Sequence, residues 1–421
     1  MNSRPLKVAV LGCGVVGTEV VRRLHGAASE LGRRIGAPIE LAGVAVRDLD
    51  RARGTGIDPA LFTDDPFELV KRADVDIVVE LVGGLEPARS LAMEAMAHGA
   101  SVVSANKALI AAHGPELHAA AADRGVDLHY EAAVAGAVPL LRTLRESLAG
   151  DDIERVVGIV NGTTNFILDR MSSTGAEFAE ALREATALGY AEAEPSADVE
   201  GHDAVAKAVI MTALAFHTRI SPAEVHREGI TAVTAADISQ AQSLGHEVKL
   251  LAICERDRRD GAVAVRVHPT WVPRGHPLAS VHGADNAVLV ESTGAGRLLL
   301  QGAGAGGTPT ASAVLGDLVA TGRRRALGST AAPAPLQLPG QLRQIGEIPT
   351  RCQLSLGTLA VADVVAALDR HEIPIETVLH AGEDLCVLTG PAPHARLTAA
   401  LDTLQTLNPT HRAPRFTRLL D

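Results

Sequence analysis

From Gly201 to Phe216 the chain reads GHDAVAKAVIMTALAF. The stretch holds no proline and, apart from Asp203 and Lys207, almost nothing that seeks water, which predicts a buried helix. A carboxylate and an ammonium four residues apart share one helical face. In an apolar setting each is costly unless it is paired or used by a ligand. On a polar helix this would be an ordinary surface pair, but the apolar surroundings turn the reading toward chemistry. Just upstream, Glu192 and Asp198 add two acids in a loop broken by Pro195.

Together these residues spell E-x5-D-x4-D-x3-K, filled by Glu192, Asp198, Asp203 and Lys207. That pattern resembles the signature segment of homoserine dehydrogenases. The resemblance implies that Glu192 and Asp203 hold an amino-acid substrate, and that Lys207 exchanges a proton with its hydroxyl. It places Asp198 with the substrate-binding residues and Gly189, at the head of the segment, with those that bind cofactor.

The elements that must position this segment follow from composition and order. A chain of 421 residues exceeds one typical domain and suggests two or three. A net charge of −11 argues against a nucleic-acid partner. No apolar run reaches the roughly 20 residues of a membrane span, and MNSRPLK leads straight into a strand instead of a signal-peptide core. The expectation is a soluble cytoplasmic protein. Cys13, Cys254, Cys352 and Cys386 are widely spaced without C-x-x-C, so they read as reduced thiols and not as a zinc or disulfide framework. With only 2% aromatic residues, the core must be filled by Ala, Val, Leu and Ile, as where helices pack on a parallel sheet.

The run Val8 to Leu11 meets Gly12-Cys13-Gly14-Val15-Val16-Gly17 before the helical sequence TEVVRRL. This is G-x-G-x-x-G between a strand and a helix. The first glycine permits the tight turn, the second lets backbone approach a pyrophosphate, and the third lets helix and strand pack closely. The phosphates would sit at the helix N-terminus. Cys13 reads as a small residue with backbone duties.

A second strand, about Ile39 to Val46, ends in Arg47-Asp48, with Arg51 and Arg53 nearby. An acid there would bond a ribose 2′-hydroxyl, whereas an arginine accommodates a 2′-phosphate. The signals conflict, and the three arginines favour NADP over NAD; a solvated loop that reads neither is the alternative. DIVVELVGG and SVVSANKAL then alternate with helical stretches, which predicts a doubly wound sheet. Ligands of such sheets lie beyond the carboxyl ends of the strands, where Gly83 and Ser104 to Lys107 fall. A lone lysine after a strand is ordinarily solvated, but the resemblance makes Lys107 a second active-site cation and sets Ser104 beside the nicotinamide.

The segment Glu131 to Pro139 carries one possible side-chain ligand, Glu131, and by itself reads only as a hinge. In homoserine dehydrogenases the similar segment encircles a monovalent cation, usually sodium, which implies carbonyl ligands at Val134, Gly136 and Val138 with Glu131 nearby. A hard cation does prefer oxygen.

Beyond it the sequence predicts a helix PLLRTLRESL, a strand VVGIVNGTTNFIL interrupted by a turn at Asn161 to Asn165, and a helix EFAEALREATAL. The small and polar turn, with Gly162 and Thr163, suits substrate binding. Gly302 to Gly307 lead into Pro309, a backbone-amide anion site; by resemblance Gly304 and Gly306 return to the cofactor. The histidines show no metal spacing.

The expected organisation is a Rossmann domain, residues 1–132 with about 303–325, and a central α+β substrate and dimerisation domain, 133–302. A linker at 326–345 leads to a β-α-β-β-α-β module at 346–421 that resembles the ACT amino-acid-sensing domain. Its first loop, Ser355-Leu356-Gly357-Thr358, keeps one glycine of the family's acidic, proline-containing pattern, so weak feedback by threonine is expected. The resemblance implies reversible NAD(P)-dependent conversion of L-aspartate 4-semialdehyde to L-homoserine by a homodimer or homotetramer. The rivals are another Rossmann-plus-ACT dehydrogenase and a non-catalytic NADP-binding sensor.

Overall fold

The computed structural model describes residues 4–52, 56–329, 338–381, 384–407 and 415–420; Arg53 lies outside them, as does the middle of the expected linker. The chain divides into two compact units. The first comprises Met1–Asp152, Val209–Pro222 and Leu300–Pro339; the second comprises Ile153–Ala208, Ala223–Leu299 and Gly340–Asp421.

The first unit is built on a six-stranded parallel sheet of β1 (Leu6–Leu11), β2 (Ile39–Ala45), β3 (Phe62–Thr63), β4 (Ile77–Glu80), β5 (Ser101–Ser104) and β6 (Leu128–His129). Their order is β3-β2-β1-β4-β5-β6. The order reverses at β1, the switch point at which doubly wound sheets bind nucleotides. The strands β1 and β4 are short and nearly all apolar because helices cover both faces. Val8, Val10, Val20, Val44 and Val79 form one core with Ala311, Val314 and Leu318, which the chain supplies on its return through the helix Gly307–Ala326.

The second unit holds a mixed sheet. Its central strands are Ile153–Ile159, His246–Arg256 and Val263–Pro273, the last two paired antiparallel over eleven residues. The C-terminal segment runs strand, helix, strand, strand, helix, strand, from Cys352–Ser355 to Arg415–Leu419, apart from a two-residue strand Ala392–Pro393 before the second helix that pairs with Pro349–Thr350. The four longer strands continue the same sheet: Arg415–Leu419 lies parallel to Val263–Pro273 at Thr270 and Trp271 and antiparallel to Cys352–Ser355.

One expectation is corrected. The stretch VVGIVNGTTNFIL is not one strand; the strand ends at Ile159 and Gly162–Thr174 is a helix. Asn161 caps that helix with its side chain, which made a polar interruption look like a turn inside a strand. PLLRTLRESL is helical as expected, with an α-turn at Leu140–Arg142 that widens to a π-helix at Thr143–Ser147. Among the described residues no helix is long and apolar enough to cross a membrane.

Candidate active site

The helix His202–Ala215, whose first turns up to Ala208 belong to the second unit, carries Asp203 in its first turn and Lys207 one turn on. Lys207 Nζ lies 2.8 Å from Asp203 Oδ2 and donates to the carbonyl oxygen of Val160 at 2.5 Å. Both side chains are buried, at 9% and 2% exposure. Asn161, also buried, donates from Nδ2 to Asp198 Oδ1 at 2.7 Å and to Asp203 Oδ2 at 2.8 Å. Sequence reasoning had placed Asp198, Asp203 and Lys207 together; it missed Asn161, which joins the two aspartates.

Gly162 and Thr163 open the helix beside this cluster. A Cβ on Gly162 would stand 2.6 Å from the Ala284 carbonyl oxygen, so only glycine fits. Thr163 Oγ1 donates to the Tyr190 carbonyl, tying the helix start to the loop before Asp198. Glu192 lies in that loop, exposed and without a hydrogen bond to the cluster among the described residues. Gly189, at φ 79°, turns the chain out of the helix Phe178–Ala187.

In the first unit, Gly12, Gly14, Arg47, Asp48 and Gly83 line one cavity of about 500 Å³ at the carboxyl ends of the strands. A Cβ on Gly17 would stand 2.1 Å from the Gly12 carbonyl oxygen, while one on Gly14 would meet nothing within 4 Å. The third glycine thus serves packing, and the second leaves space for a ligand. Val16 packs against the core and Val15 is exposed. Val15 abuts Gly307, where Gly306 at φ 115° caps the long helix Gly307–Ala326. Two helix N-termini therefore approach one another at the glycine loop. Asp48 Oδ1 accepts from the amide of Asp50, which turns one acid oxygen back on its own chain.

Ser104 is buried, and its hydroxyl donates to Glu80 Oε2 at 2.6 Å. Glu80 also accepts from the amides of Val82 and Gly83, so this carboxylate, which the sequence did not single out, shapes the loop after β4. Asn106 caps the helix Lys107–Arg124 and donates to the Gly84 carbonyl, placing Lys107 at the first helical position, partly buried.

The loop after β6 is held by acids. Glu131 accepts from the amides of Leu141 at 2.8 Å and Arg142 at 2.7 Å, while Asp317 accepts from the Glu131 amide and the Arg142 guanidinium. Burial, reinforced by Asp317, pushes the Glu131 carboxyl up to about 7. Ala135 and Gly136 are both left-handed, and a Cβ on Gly136 would stand 2.4 Å from the Gly304 carbonyl oxygen. Val138 gives its carbonyl to the amide of Leu140. Among the described residues no group of three or more His, Cys, Asp or Glu side chains could hold a metal ion.

Comparison with known proteins follows the same division of labour. Residues 12–131 match the model described as homoserine dehydrogenase, NAD binding domain, and residues 139–319 match that of homoserine dehydrogenase. A homoserine dehydrogenase of Corynebacterium glutamicum is 48% identical over 409 residues, spanning 94% of this chain and 92% of that protein. The crystal structure of a homoserine dehydrogenase from Thiobacillus denitrificans superposes with a TM-score of 0.93 at 39% identity, covering 99% of both chains. A hyperthermophilic archaeal homoserine dehydrogenase in complex with NADPH gives a TM-score of 0.65 at 28% identity, over 75% of this chain and 97% of that one.

Proposed function

The chain belongs to the homoserine dehydrogenase family, and from that premise we propose how its residues interconvert L-homoserine and L-aspartate 4-semialdehyde with NAD(P). The observation that carries the assignment is the buried Lys207 ammonium, held by Asp203 and the Val160 carbonyl. In the reductive direction the Lys207 ammonium gives its proton to the aldehyde oxygen as that oxygen gains charge; in the oxidative direction Lys207, as the neutral amine, takes the hydroxyl proton. The bound nicotinamide supplies or accepts the hydride. Asp203 orients Lys207 and the substrate, and Glu192 receives the substrate ammonium. Gly162 and Thr163 offer first-turn amides to the substrate carboxylate. Lys107 is the second active-site cation.

The cavity at Gly12, Gly14 and Gly83 fits a dinucleotide, because Gly14 leaves open space above the loop and is the N-cap of the helix that starts at Val15. NADP is the preferred nucleotide in this reading. Arg47 lines the cavity, one oxygen of Asp48 is engaged by Asp50, and the archaeal relative was solved with NADPH. Val134, Gly136 and Val138 would offer backbone carbonyls to the cation, a donor set that suits a hard monovalent ion such as sodium. Glu131 would act behind it, since both its carboxylate oxygens are taken by backbone amides. The C-terminal β-α-β-β-α-β order supports an ACT-like module, and a homodimer or homotetramer completes the proposal.

Homoserine-dependent formation of reduced nucleotide, followed spectrophotometrically with NADP and NAD side by side, tests the reading. Turnover by wild type that disappears in Lys207→Ala supports it; near-wild-type kcat in that variant overturns the assignment.

A further inference from the structure

The strand Ile153–Ile159 and the helix Gly162–Thr174 are joined by two residues, Val160 and Asn161. Val160 accepts from Lys207 Nζ through its carbonyl, and Asn161 donates to Asp203 Oδ2, the same oxygen that Lys207 contacts. One peptide step therefore grips both members of the Asp203–Lys207 pair. We propose that Asn161 is a positioning residue for the reaction, an amide clamp that fixes Asp198 and Asp203 and thereby holds Lys207 in place; this rests on the role given to Lys207 above.

The amide has no choice of orientation. Its Oδ1 accepts from the Thr164 backbone N–H at 2.9 Å and from the Thr164 hydroxyl at 3.1 Å, as the N-cap of the helix. Rotated by half a turn, it would set Nδ2 against the Thr164 N–H, donor against donor, and Oδ1 against two carboxylates. Capping the helix thus obliges both Nδ2 protons to face Asp198 and Asp203. Asparagine alone among the good N-caps combines an acceptor for the helix with a two-proton donor for the acids. Serine is too short and its single proton cannot serve both carboxylates. Aspartate caps equally well but turns an acceptor toward acceptors. Asn161 also avoids the alternative of a third charge: it is buried at 6% exposure, where an ammonium or another acid would be costly.

The two duties give different rank orders, which separates them experimentally in the full-length protein. If Asn161 only caps the helix, then Asn161→Ser keeps both wild-type Tm and wild-type kcat, and only Asn161→Ala loses them. If it is the clamp, Asn161→Ser keeps Tm near wild type, yet it loses kcat for homoserine as Asn161→Ala does, on the order of 10²-fold for a displacement of about 1 Å; Asn161→Asp, which sets a third buried acid against Asp198 and Asp203, loses both Tm and kcat. The KM for NADP stays unmoved in the clamp case, because the cofactor cavity is lined by other residues. A crystal structure of Asn161→Ser supplies a readout that needs no turnover: the Lys207 to Asp203 contact, 2.8 Å in the wild type, is expected to open. Retention of that contact, or activity that follows Tm across the series, overturns the proposal. Wild type that fails to oxidise homoserine would instead refute the reading of Lys207, while the Asn161→Ser structure would still decide the clamp.

Discussion

Lys207 Nζ and Asp203 Oδ2 stand 2.8 Å apart on successive turns of one helix, in surroundings from which water is nearly excluded. Such a pair is poor evidence for stability, since the cost of burying two charges rivals their attraction. Its retention in an otherwise apolar helix is better explained by proton exchange with a substrate.

Replacing Lys207 with Ala is expected to lower kcat by about 10²–10⁴, but it also strands a buried carboxylate. Lys207→Arg is the cleaner variant. Arginine keeps the charge and the partner yet does not release a proton at working pH. Steady-state kinetics should therefore show a folded, NADP-binding protein with kcat reduced nearly as far as in the alanine variant. An arginine enzyme at near-wild-type kcat would mean that residue 207 only holds Asp203.

Arg47 should decide between the two nucleotides. A charge-assisted hydrogen bond is worth about 1.5–3 kcal/mol, so Arg47→Ala should raise the KM for NADP roughly ten- to hundredfold and leave that for NAD nearly unchanged. Equal losses for both nucleotides would make Arg47 a structural residue.

Acid stability should be limited by buried neutral histidines. His118 bonds the Tyr130 hydroxyl at 3.0 Å, and burial, with Arg145 nearby, pushes its pKa down to about 4. His268 is held well below its ordinary value by burial and by Arg418. The folded values lie beneath the unfolded value of about 6.5, so below that pH the unfolded chain binds more protons. The stability is fully present above pH 6.5 and is lost as pH falls toward 4, by about 1 kcal/mol per pH unit for each histidine. Thermal melts between pH 7 and 4.5 should show this decline, and His118→Phe should flatten it; a parallel slope in the variant refutes the assignment.

Threonine should inhibit weakly. Ser355, at the start of the loop expected to recognise an amino acid, donates its hydroxyl to Gln240 Oε1, and Leu356 and Gly357 are paired through backbone with Leu385. The loop offers no acid to a ligand ammonium. One missing charge-assisted bond weakens binding at least about tenfold, so initial rates should stay near their starting value at sub-millimolar L-threonine. Strong inhibition at sub-millimolar threonine would sink this reading. Deleting the C-terminal segment would be a poor control, because Arg418 there makes a bidentate pair with Glu228 and its strand belongs to the central sheet.

Signals that act over a few residues were readable in the sequence alone. The glycine spacing from Gly12 to Gly17, the strand and helix alternation that follows it, and the register of Asp203 with Lys207 each depend on neighbours within one or two turns. They reappear as β1, its helix and the buried pair. The polar run at Asn161 was misread because a cap residue and a turn residue look alike until the following helix is seen. Partnerships between distant positions were not legible. Asn161 meets Asp203 across 42 residues, Ser104 meets Glu80 across 24, and the Glu131 amide meets Asp317 across 186. A carboxylate in a sequence carries no mark of which donor it will accept from; burial removes water as a partner, and only the packed fold decides which remaining donor is within reach.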